Sequence, residues 1–477
     1  MTISAPLPIR EPIVEHKRKG DSNDSGFQRS VRRKLIKSTV EESRVYAFAL
    51  GNFFSLLKPL LLIRNDALRV QSSRENSFKL IASNMRHNSL IIRDFALANK
   101  ASYEKIQPRL TQCRAIVNAL AYLDSNWKSL NNFKELYHRR LSMYVMKLLN
   151  STNLKIAEAI QGSYFSPGIF SYIEDLTYFA LHLLERSRII KNPSIPSLLK
   201  VIDKLQFVYS VAYPLETLDK KGVRGKDKFA KIKNKITKII QKVGLIQRIN
   251  DLSKSKNDFL FLSGGSSNHG VLYKLQSKNG SLQFTIINTG EGAPDDNFNQ
   301  QNYTHDIKYI HLSPKDFPEL FLQKLLLWQI SISVKQFNIT SQNHVNYQID
   351  QQLNKGNNRA QGRRHHVQNS AQECCLGKCI ASAIRGELNR ALLLNFKVFL
   401  TQRELNHINI LIKENKSENL IINDQTILKK LLNKENTEGI LKTLYSFRKK
   451  GRIILKKRQD KADRLNASVK HTRSNPK

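Results

Sequence analysis

Four polar residues in the second half of the chain carry the side chains that a cysteine-nucleophile hydrolase requires. They are His269, Asn288, Gln368 and Cys374, in that order along the sequence. A thiol supplies the nucleophile, an imidazole moves its proton, one amide orients the imidazole and another amide holds a developing oxyanion. These residue types therefore predict a site of thiol chemistry, in which Cys374 attacks a carbonyl carbon.

His269 and Asn288 flank two short apolar segments, HGVLYKLQ and LQFTIIN, which predict adjacent β-strands. The Lys-Asn-Gly sequence between the segments is typical of a tight hairpin turn, because Asn and Gly tolerate positive φ. In a hairpin that turns at Asn279 and Gly280, position 269 pairs near position 290. We therefore expect Asn288 to lie close to His269 on the neighbouring antiparallel strand.

A helical pattern begins at Cys374 and continues to Lys397. A cysteine in the first turn of a helix faces unpaired amides and the positive end of the helix dipole, which favour the thiolate. Cys375 is an alternative nucleophile, since it lies about 100° further around the helix and only one of the two can face a cleft. Cys379 is on the apolar side, and we expect it in the core.

Gln368 precedes Cys374 by six positions, and its amide is suited to hold an oxyanion.

This set resembles the papain-like cysteine peptidases, including calpain-type and ubiquitin-hydrolase-type enzymes. In that family a Gln shortly precedes the nucleophilic Cys, a His begins a central strand, and an Asn follows on the next strand. Gln368, Cys374, His269 and Asn288 occupy the matching positions. Because His and Asn precede Cys here, the chain is similar to a circularly permuted member, and the match is confined to residues 258–397.

The resemblance implies an α+β fold, in which a helical N-terminal domain precedes a papain-like domain with a small antiparallel sheet and a cysteine-bearing helix. It implies that Cys374 attacks a peptide or isopeptide bond, with His269 as base and then acid. Asn288 would orient the imidazole, and Gln368 would hold the oxyanion. The substrate would be a peptide or a protein of the ubiquitin-like kind, and deubiquitinase-like and deamidase reactions use the same groups. The chain is also similar to large proteins of chlamydia-related intracellular bacteria, which implies a bacterial effector that reaches a host cell without a cleaved signal peptide.

Two alternatives to a hydrolase stay open. The first is a zinc site, for which sulfur and imidazole ligands occur within fifteen residues, although without a C-x-x-C pair: His365, His366, Cys374, Cys375 and Cys379. The second is a catalytically inactive basic protein that binds acidic partners or nucleic acid. No P-loop, dinucleotide-binding glycine fingerprint or H-E-x-x-H motif occurs in the sequence. The predicted hydrolase site therefore includes neither a cofactor nor a metal.

The chain is strongly basic, with 78 Lys and Arg residues against 39 Asp and Glu residues and a formal net charge of +39. Basic residues occur in every segment, and their densest runs lie at 29–37 and 448–458. Such a charge predicts salt-sensitive, sequence-indifferent binding to polyanions. No nucleic-acid reader motif accompanies the charge, so the charge by itself does not assign a nucleic-acid function.

Cysteine usage and hydropathy indicate the compartment. Three of the four cysteines lie within six residues, a spacing that cannot form a disulfide framework and predicts synthesis in a reducing cytoplasm. The first residues are polar and contain prolines, which predicts that there is no cleaved secretory signal. The longest apolar run, 45–63, is interrupted by polar residues and a proline, so we predict no transmembrane segment.

Changes in composition divide the chain into five parts. We expect a disordered basic segment over 1–43, a helical domain over 44–250, a domain over 251–400, a helical extension over 401–450 and a disordered basic tail over 451–477. The resemblance implies that the domain over 251–400 is a permuted papain-like domain. Within the papain-like domain, 313–337 has a helical pattern, whereas the Gln- and Asn-rich segment 340–366 predicts a loop or linker.

Overall fold

A computed structural model describes much of the chain after residue 164 and part of one earlier helical segment. The described residues are parts of 111–126 and the segments 165–186, 194–221, 228–266, 269–288, 303–330, 341–355, 358–366, 375–416 and 436–474. They form helices and one small antiparallel sheet. This mixed architecture is compatible with the predicted α+β class.

The described elements follow one another in a simple order. Helices precede the sheet: α1 (Phe165–Arg186), α2 (Ile195–Lys221), α3 (Lys228–Lys242) and α4 (Leu245–Lys254). The sheet and its intervening helices follow: β1 (Phe259–Ser266), β2 (His269–Lys278), β3 (Ser281–Ile287), β4 (Tyr303–Leu312), α5 (Glu319–Leu327), α6 (Gln342–Leu353) and β5 (Arg359–His366). The last described helices are α7 (Cys375–Glu387), α8 (Arg390–Lys416) and α9 (Thr437–Ser474).

The β2–β3 hairpin has the register that the Lys-Asn-Gly turn predicts. Asn279 and Gly280 have φ angles of 52° and 77°, and Leu272 lies opposite Ile287. Two successive residues with positive φ reverse the chain with a twist that matches the flanking strands. The prediction of this turn and its register is therefore confirmed.

The five strands form one antiparallel sheet in the order β1-β2-β3-β4-β5. Strands that follow one another in the sequence pair along the whole sheet, and β4 and β5 do so although α5 and α6 lie between them in the sequence. The β4–β5 pairing shifts register between His305 and Ile307. Gly362 of β5 lies at this irregularity, where an added Cβ would come within 2.6 Å of the Asp306 Cβ.

Helices cover both faces of the sheet. Strand alternation directs Phe261 and Leu272 to one face, where they share a core with α1, α2, α7 and α8. It directs Leu262, Tyr273 and Phe284 to the other face, where they share a core with α3, α4, α5 and α6. The helices that precede the sheet thus pack directly on it, and the hydrophobic contact continues across the domain boundary expected near residue 250.

The segment 340–366, for which we expected a loop, contains α6 and β5 instead. The Ser341 side chain caps α6 by accepting a backbone N–H of the first turn, and Val345, Ile349 and Leu353 are buried at intervals of one turn. β5 is an outer strand that pairs only with β4 among the described strands. The prediction was wrong because α6 buries a single narrow stripe and β5 has a polar sequence, so neither shows a strong hydrophobic pattern.

The helical pattern that begins at Cys374 is divided into two helices, α7 and α8, by a break at Leu388 and Asn389. The Asn389 Oδ1 accepts the Leu392 N–H at 2.8 Å, which caps the start of α8.

The earlier helical pattern at 313–337 corresponds to a 3₁₀ turn, Pro314–Asp316, and to α5. Residues 331–337 lie outside the described residues.

The C-terminal segment 451–474, expected to be disordered, is the continuation of α9. Packing against α8 explains this difference, because an added Cβ at Gly451 would come within 2.6 Å of the Leu405 Cδ2. Further along, the Arg458 Nη1 donates to the Lys397 carbonyl oxygen at 3.3 Å. Because the other faces of α9 carry many lysines and arginines, the composition of this segment predicts disorder although one side of the helix is packed.

None of the described helices combines the length and the apolar composition needed to cross a membrane. The segment 1–43 and the apolar run 45–63 lie outside the described residues, and so do 475–477.

Candidate functional site

Helix α7 runs alongside β2 in the same direction. The Cys379 thiol lies 4.0 Å from the Gly270 carbonyl oxygen, and further along both elements the Glu387 Oε1 lies 2.5 Å from the Lys274 Nζ. Eight helical residues and four strand residues both span about 12 to 13 Å, because the rise per residue is about 1.5 Å in a helix and 3.3 Å in a strand. The two contacts therefore fix the helix and the strand side by side.

This alignment brings the start of α7 to the start of β2. Cys375, the first residue of α7, precedes Cys379 by about one helical turn. His269, the first residue of β2, directly precedes Gly270. The backbone thus places a helix that opens with cysteine beside a strand that opens with histidine.

The structure locates the predicted site residues to different extents. The backbone of His269 is described, and Asn288 directly follows β3 and is 2% exposed. The backbone of Cys375 is described at the start of α7, but its side chain, like that of His269, is not. Cys374 and Gln368 lie outside the described residues, and their roles stay predictions.

The hairpin register relates the position of His269 to that of Asn288. The pairing of Leu272 with Ile287, continued by one residue, places position 288 opposite Val271. Position 269 is then the diagonal neighbour of position 288 on the same face of the sheet, at about 7 to 8 Å. An imidazole and a carboxamide attached at such positions can interact directly or through one water.

Strand alternation separates position 269 from the face that α7 covers. Cys379 shares a hydrophobic cluster with Leu272, whereas Val271 and Tyr273 belong to the cluster on the other face. Position 269 alternates in phase with Val271 and Tyr273. A thiol at the start of α7 can therefore meet an imidazole at position 269 only past the N-terminal end of β2, and not through the sheet.

Cys379 is fully buried, and the prediction that it is a core residue is confirmed. Its role is to pack α7 against the backbone of β2. Among the described residues, no group of three or more His, Cys, Asp and Glu side chains is placed to hold a metal ion. The side chains of His365, His366, Cys374 and Cys375, which the zinc alternative also needs, lie outside the described ones.

A buried polar contact at the same end of the sheet was not predicted from the sequence. Ser266, which pairs with His269, donates its backbone N–H to the Gln342 Oε1 at 3.1 Å. Gln342 lies in the first turn of α6 and is itself buried. This contact ties the end of β1 to α6 beside the start of β2. A serine N-cap followed by a glutamine in a polar segment was the available signal.

Tyr273 fills the space beneath the same strand ends. An added Cβ at Gly264 would come within 2.0 Å of the Tyr273 ring, so only glycine allows this close approach. The Tyr273 hydroxyl accepts the Gly265 N–H at 3.1 Å. Burial raises the pKa of Tyr273, and the hydrogen bond from Gly265 opposes this increase only in part. Tyr273 is therefore a neutral structural residue at physiological pH.

The sheet face beside α7 is basic. Lys274, Thr285 and Lys308 occupy one row across β2, β3 and β4. Partial burial lowers the pKa of Lys308, and the positive charges of Lys278 and Lys274 lower it further. Glu387 forms an ion pair with Lys274.

The chain matches no protein-family model, and no curated protein or solved structure is significantly similar to it. The papain-like resemblance therefore stays a prediction from the sequence.

Proposed function

We propose that the chain is a cysteine-nucleophile hydrolase of the papain-like type with a permuted order of site residues, and that it cleaves a peptide or isopeptide bond. The alignment of α7 with β2 is the observation that supports this proposal most, because it brings the helix start at Cys375 to the strand start at His269. The β2–β3 register adds Asn288 at the same end of the sheet.

In the proposed reaction, the Cys374 thiol gives its proton to His269, and the sulfur attacks the carbonyl carbon of the substrate. The oxyanion accepts hydrogen bonds from the Gln368 amide and from the first backbone N–H groups of the helix. His269 then protonates the leaving nitrogen as the C–N bond breaks, and a thioester remains. Water that loses its proton to His269 hydrolyses the thioester, and this step restores the thiol.

The same steps accommodate two leaving groups. An amine leaves from a peptide or isopeptide substrate, and ammonia leaves from a glutamine side chain, which would make the enzyme a deamidase. A ubiquitin-like protein joined through an isopeptide bond is one substrate of the first kind.

A thiol-reactive activity probe tests the proposal on the full chain. We expect one cysteine to react faster than the others. As the pH rises, its labelling rate should level off at a pH well below the ordinary thiol pKa of about 8.5, because its thiolate forms at lower pH. Cys374→Ala should abolish this fast labelling, and His269→Ala should slow it by about 10²-fold or more. Cys375→Ala is the matched control, since it removes the adjacent thiol and should leave the rate unchanged.

Peptide mapping of the adduct separates the outcomes. If Cys375→Ala removes the fast phase and Cys374→Ala does not, the nucleophile is Cys375 and the proposed spacing from Gln368 is off by one residue. Slow labelling of every accessible cysteine with an ordinary thiol pH profile would overturn the hydrolase proposal.

The second candidate function is a catalytically inactive basic binding protein. The observation that favours it is the placement of α7 and position 269 on opposite faces of the sheet. The exposed lysines and arginines of α9 would supply its binding surface. Such a protein would bind acidic partners or nucleic acid and would show no fast labelling at Cys374 or Cys375.

A further inference from the structure

A cavity lined by aromatic and cationic side chains lies among α2, α3 and the start of α4. None of these elements carries a residue of the proposed hydrolase site. The cavity volume is about 610 Å³, within the range of about 300 to 1,000 Å³ that is typical of small-molecule sites. Tyr122 and Asn126, from the earlier helical segment, complete its wall.

The aromatic wall contains a flat stack of two rings. Tyr209 and Tyr213, one turn apart on α2, have ring centroids 5.5 Å apart and an interplanar angle of 15°. Tyr122 meets the Tyr209 ring edge-on with centroids 6.3 Å apart, and its hydroxyl donates to the Gln206 carbonyl oxygen at 3.2 Å. Tyr209 is 1% exposed and Tyr213 is half-buried, so Tyr213 presents the more accessible ring for a third aromatic group.

Three cationic side chains line the same cavity: Lys238 and Lys242 of α3 and Arg248 of α4. Arg248 is held in place, because its guanidinium lies 4.6 Å from the Phe207 ring centroid and its Nε donates to the Val243 carbonyl oxygen at 3.1 Å. The described lining contains no carboxylate. The cavity therefore concentrates positive charge that an anionic ligand would neutralise.

Gly244 brings the cationic side chains of two helices together. It joins α3 to α4 with φ 62° and ψ 37°, a left-handed conformation that favours glycine. The carbonyl oxygen of Gly244 then accepts the Arg248 N–H at 2.9 Å in the first turn of α4. The chain reversal at Gly244 thus places Arg248 beside the same cavity as Lys242.

Pro214 interrupts the backbone hydrogen bonds of α2 beside the cavity. Proline has no N–H, so the Ser210 carbonyl oxygen, four residues earlier on α2, lacks its usual helical donor. Ser210 and Pro214 both line the cavity.

We propose that this cavity binds a nucleoside phosphate. The base extends the Tyr209–Tyr213 stack, because every nucleobase has a flat π-face that stacks on an aromatic ring. The phosphates lie against Lys238, Lys242 and Arg248, where charge-assisted hydrogen bonds form. A free nucleotide and the phosphorylated end of a single-stranded nucleic acid both present this chemistry, and the test distinguishes the two sources.

Isothermal titration calorimetry of the full chain at fixed salt tests the proposal with ATP, AMP, adenosine and inorganic triphosphate. We expect ATP to bind at least ten-fold more tightly than either adenosine or triphosphate, because only ATP engages both the stack and the cations. Lys242→Gln and Arg248→Gln should each weaken ATP binding by about ten-fold, the usual loss for one hydrogen bond to a charged group. Tyr213→Leu should weaken ATP binding and leave triphosphate binding unchanged.

Lys233→Gln is the matched control, since Lys233 is an exposed lysine on the opposite side of α3. Equal weakening by Lys233→Gln and Lys242→Gln would overturn the proposal, because it would reduce the binding to general charge attraction. Triphosphate binding as tight as ATP binding would also overturn it. Stronger competition by a 5′-phosphorylated oligonucleotide than by ATP would support the site and identify a nucleic-acid end as its ligand. If Tyr213→Leu does not fold, as judged by circular dichroism, the two cation variants carry the test.

Discussion

Asp258 joins helix α2 to the start of the sheet through ion pairs. It directly precedes β1, and its carboxylate lies 3.0 Å from the Lys200 Nζ and 3.3 Å from the Lys204 Nζ of α2. Burial by itself would raise the pKa of Asp258. The Phe259 N–H and the two lysines outweigh this effect and hold the pKa below its ordinary value.

We expect Asp258→Asn to lower the free energy of unfolding at pH 7 by about 0.5 to 1 kcal/mol, the magnitude of a partly exposed ion pair. The folded-state pKa lies below the unfolded value of about 3.9, so the stabilisation is complete above about pH 5 and is lost as the pH falls through the folded pKa. Denaturant titrations of both proteins between pH 7 and pH 3 measure this change, and the difference between them should shrink towards low pH.

Asp203→Asn provides the comparison for this prediction. The Asp203 side chain is 69% exposed and lies 3.8 Å from the Lys204 Nζ, so its substitution should change stability less at every pH. A stability difference for Asp258→Asn that stays constant from pH 7 to pH 3 would contradict the assigned linkage.

Helix α7 and strand β2 are joined by two oppositely charged side chains that are mostly buried. Lys274 and Glu387 form an ion pair between them, and their side chains are only 16% and 15% exposed. The pair holds the C-terminal end of α7 on the sheet, while Cys379 holds the preceding turns. Removal of one partner leaves the other charge partly desolvated, which costs more than the loss of an exposed pair.

We expect Glu387→Gln and Lys274→Met each to lower the free energy of unfolding by about 1 to 3 kcal/mol. The double variant should lose less than the sum of the two, with a coupling energy of about 1 kcal/mol or more, because it leaves no unpaired charge. Chemical denaturation of the four proteins measures the cycle. Arg385→Gln, an exposed cation on the same helix, should change little, and additive losses in the double variant would show that the two side chains do not interact.

The excess of positive charge concerns the molecule as a whole. The formal net charge is +39, and much of the described basic surface lies on α9. Its exposed cations on the sides away from α8 include Lys449, Lys450, Arg452, Lys456 and Lys457. Since α9 packs on α8 through Gly451, truncation near residue 450 would remove part of the fold together with the charge. Substitution of the exposed cations separates these two effects.

We expect the full chain to bind heparin or single-stranded RNA without sequence preference, with an affinity that falls steeply between low and physiological salt. Replacement of the five exposed α9 cations by Gln should reduce the slope of log K against log salt, by about 0.7 for each lost phosphate contact with single-stranded RNA. Deletion of 1–43, which contains the other dense basic run, should reduce the slope further. Fluorescence anisotropy at several salt concentrations measures both effects.

Asp460→Asn with Asp463→Asn is the control for the α9 substitutions, because it changes exposed acidic positions of the same helix. It should leave binding unchanged or strengthen it slightly. Probe labelling at the proposed cysteine should survive the α9 substitutions, since they lie on another element. Tight binding to one nucleic-acid sequence that does not depend on salt would contradict the prediction.

The features that depend on residues close together in the chain were predictable from the sequence. The Asn279–Gly280 turn fixes the register of β2 and β3, because positive φ at two successive residues leaves one way to close the hairpin. The apolar period that begins near Cys374 correctly placed Cys379 in the core. Both inferences depend on contacts within a few residues, which the sequence contains directly.

Only the tertiary structure decided how these local elements meet. Strand alternation shows that positions 269 and 270 point to opposite faces of the sheet, but it does not show which face α7 covers. The covered face determines how a thiol at the start of α7 reaches an imidazole at position 269. The polar strand β5 and the basic helix α9 acquire their order from β4 and from Leu405. Their stabilising partners lie far away in the sequence, so no pattern within either segment could reveal them.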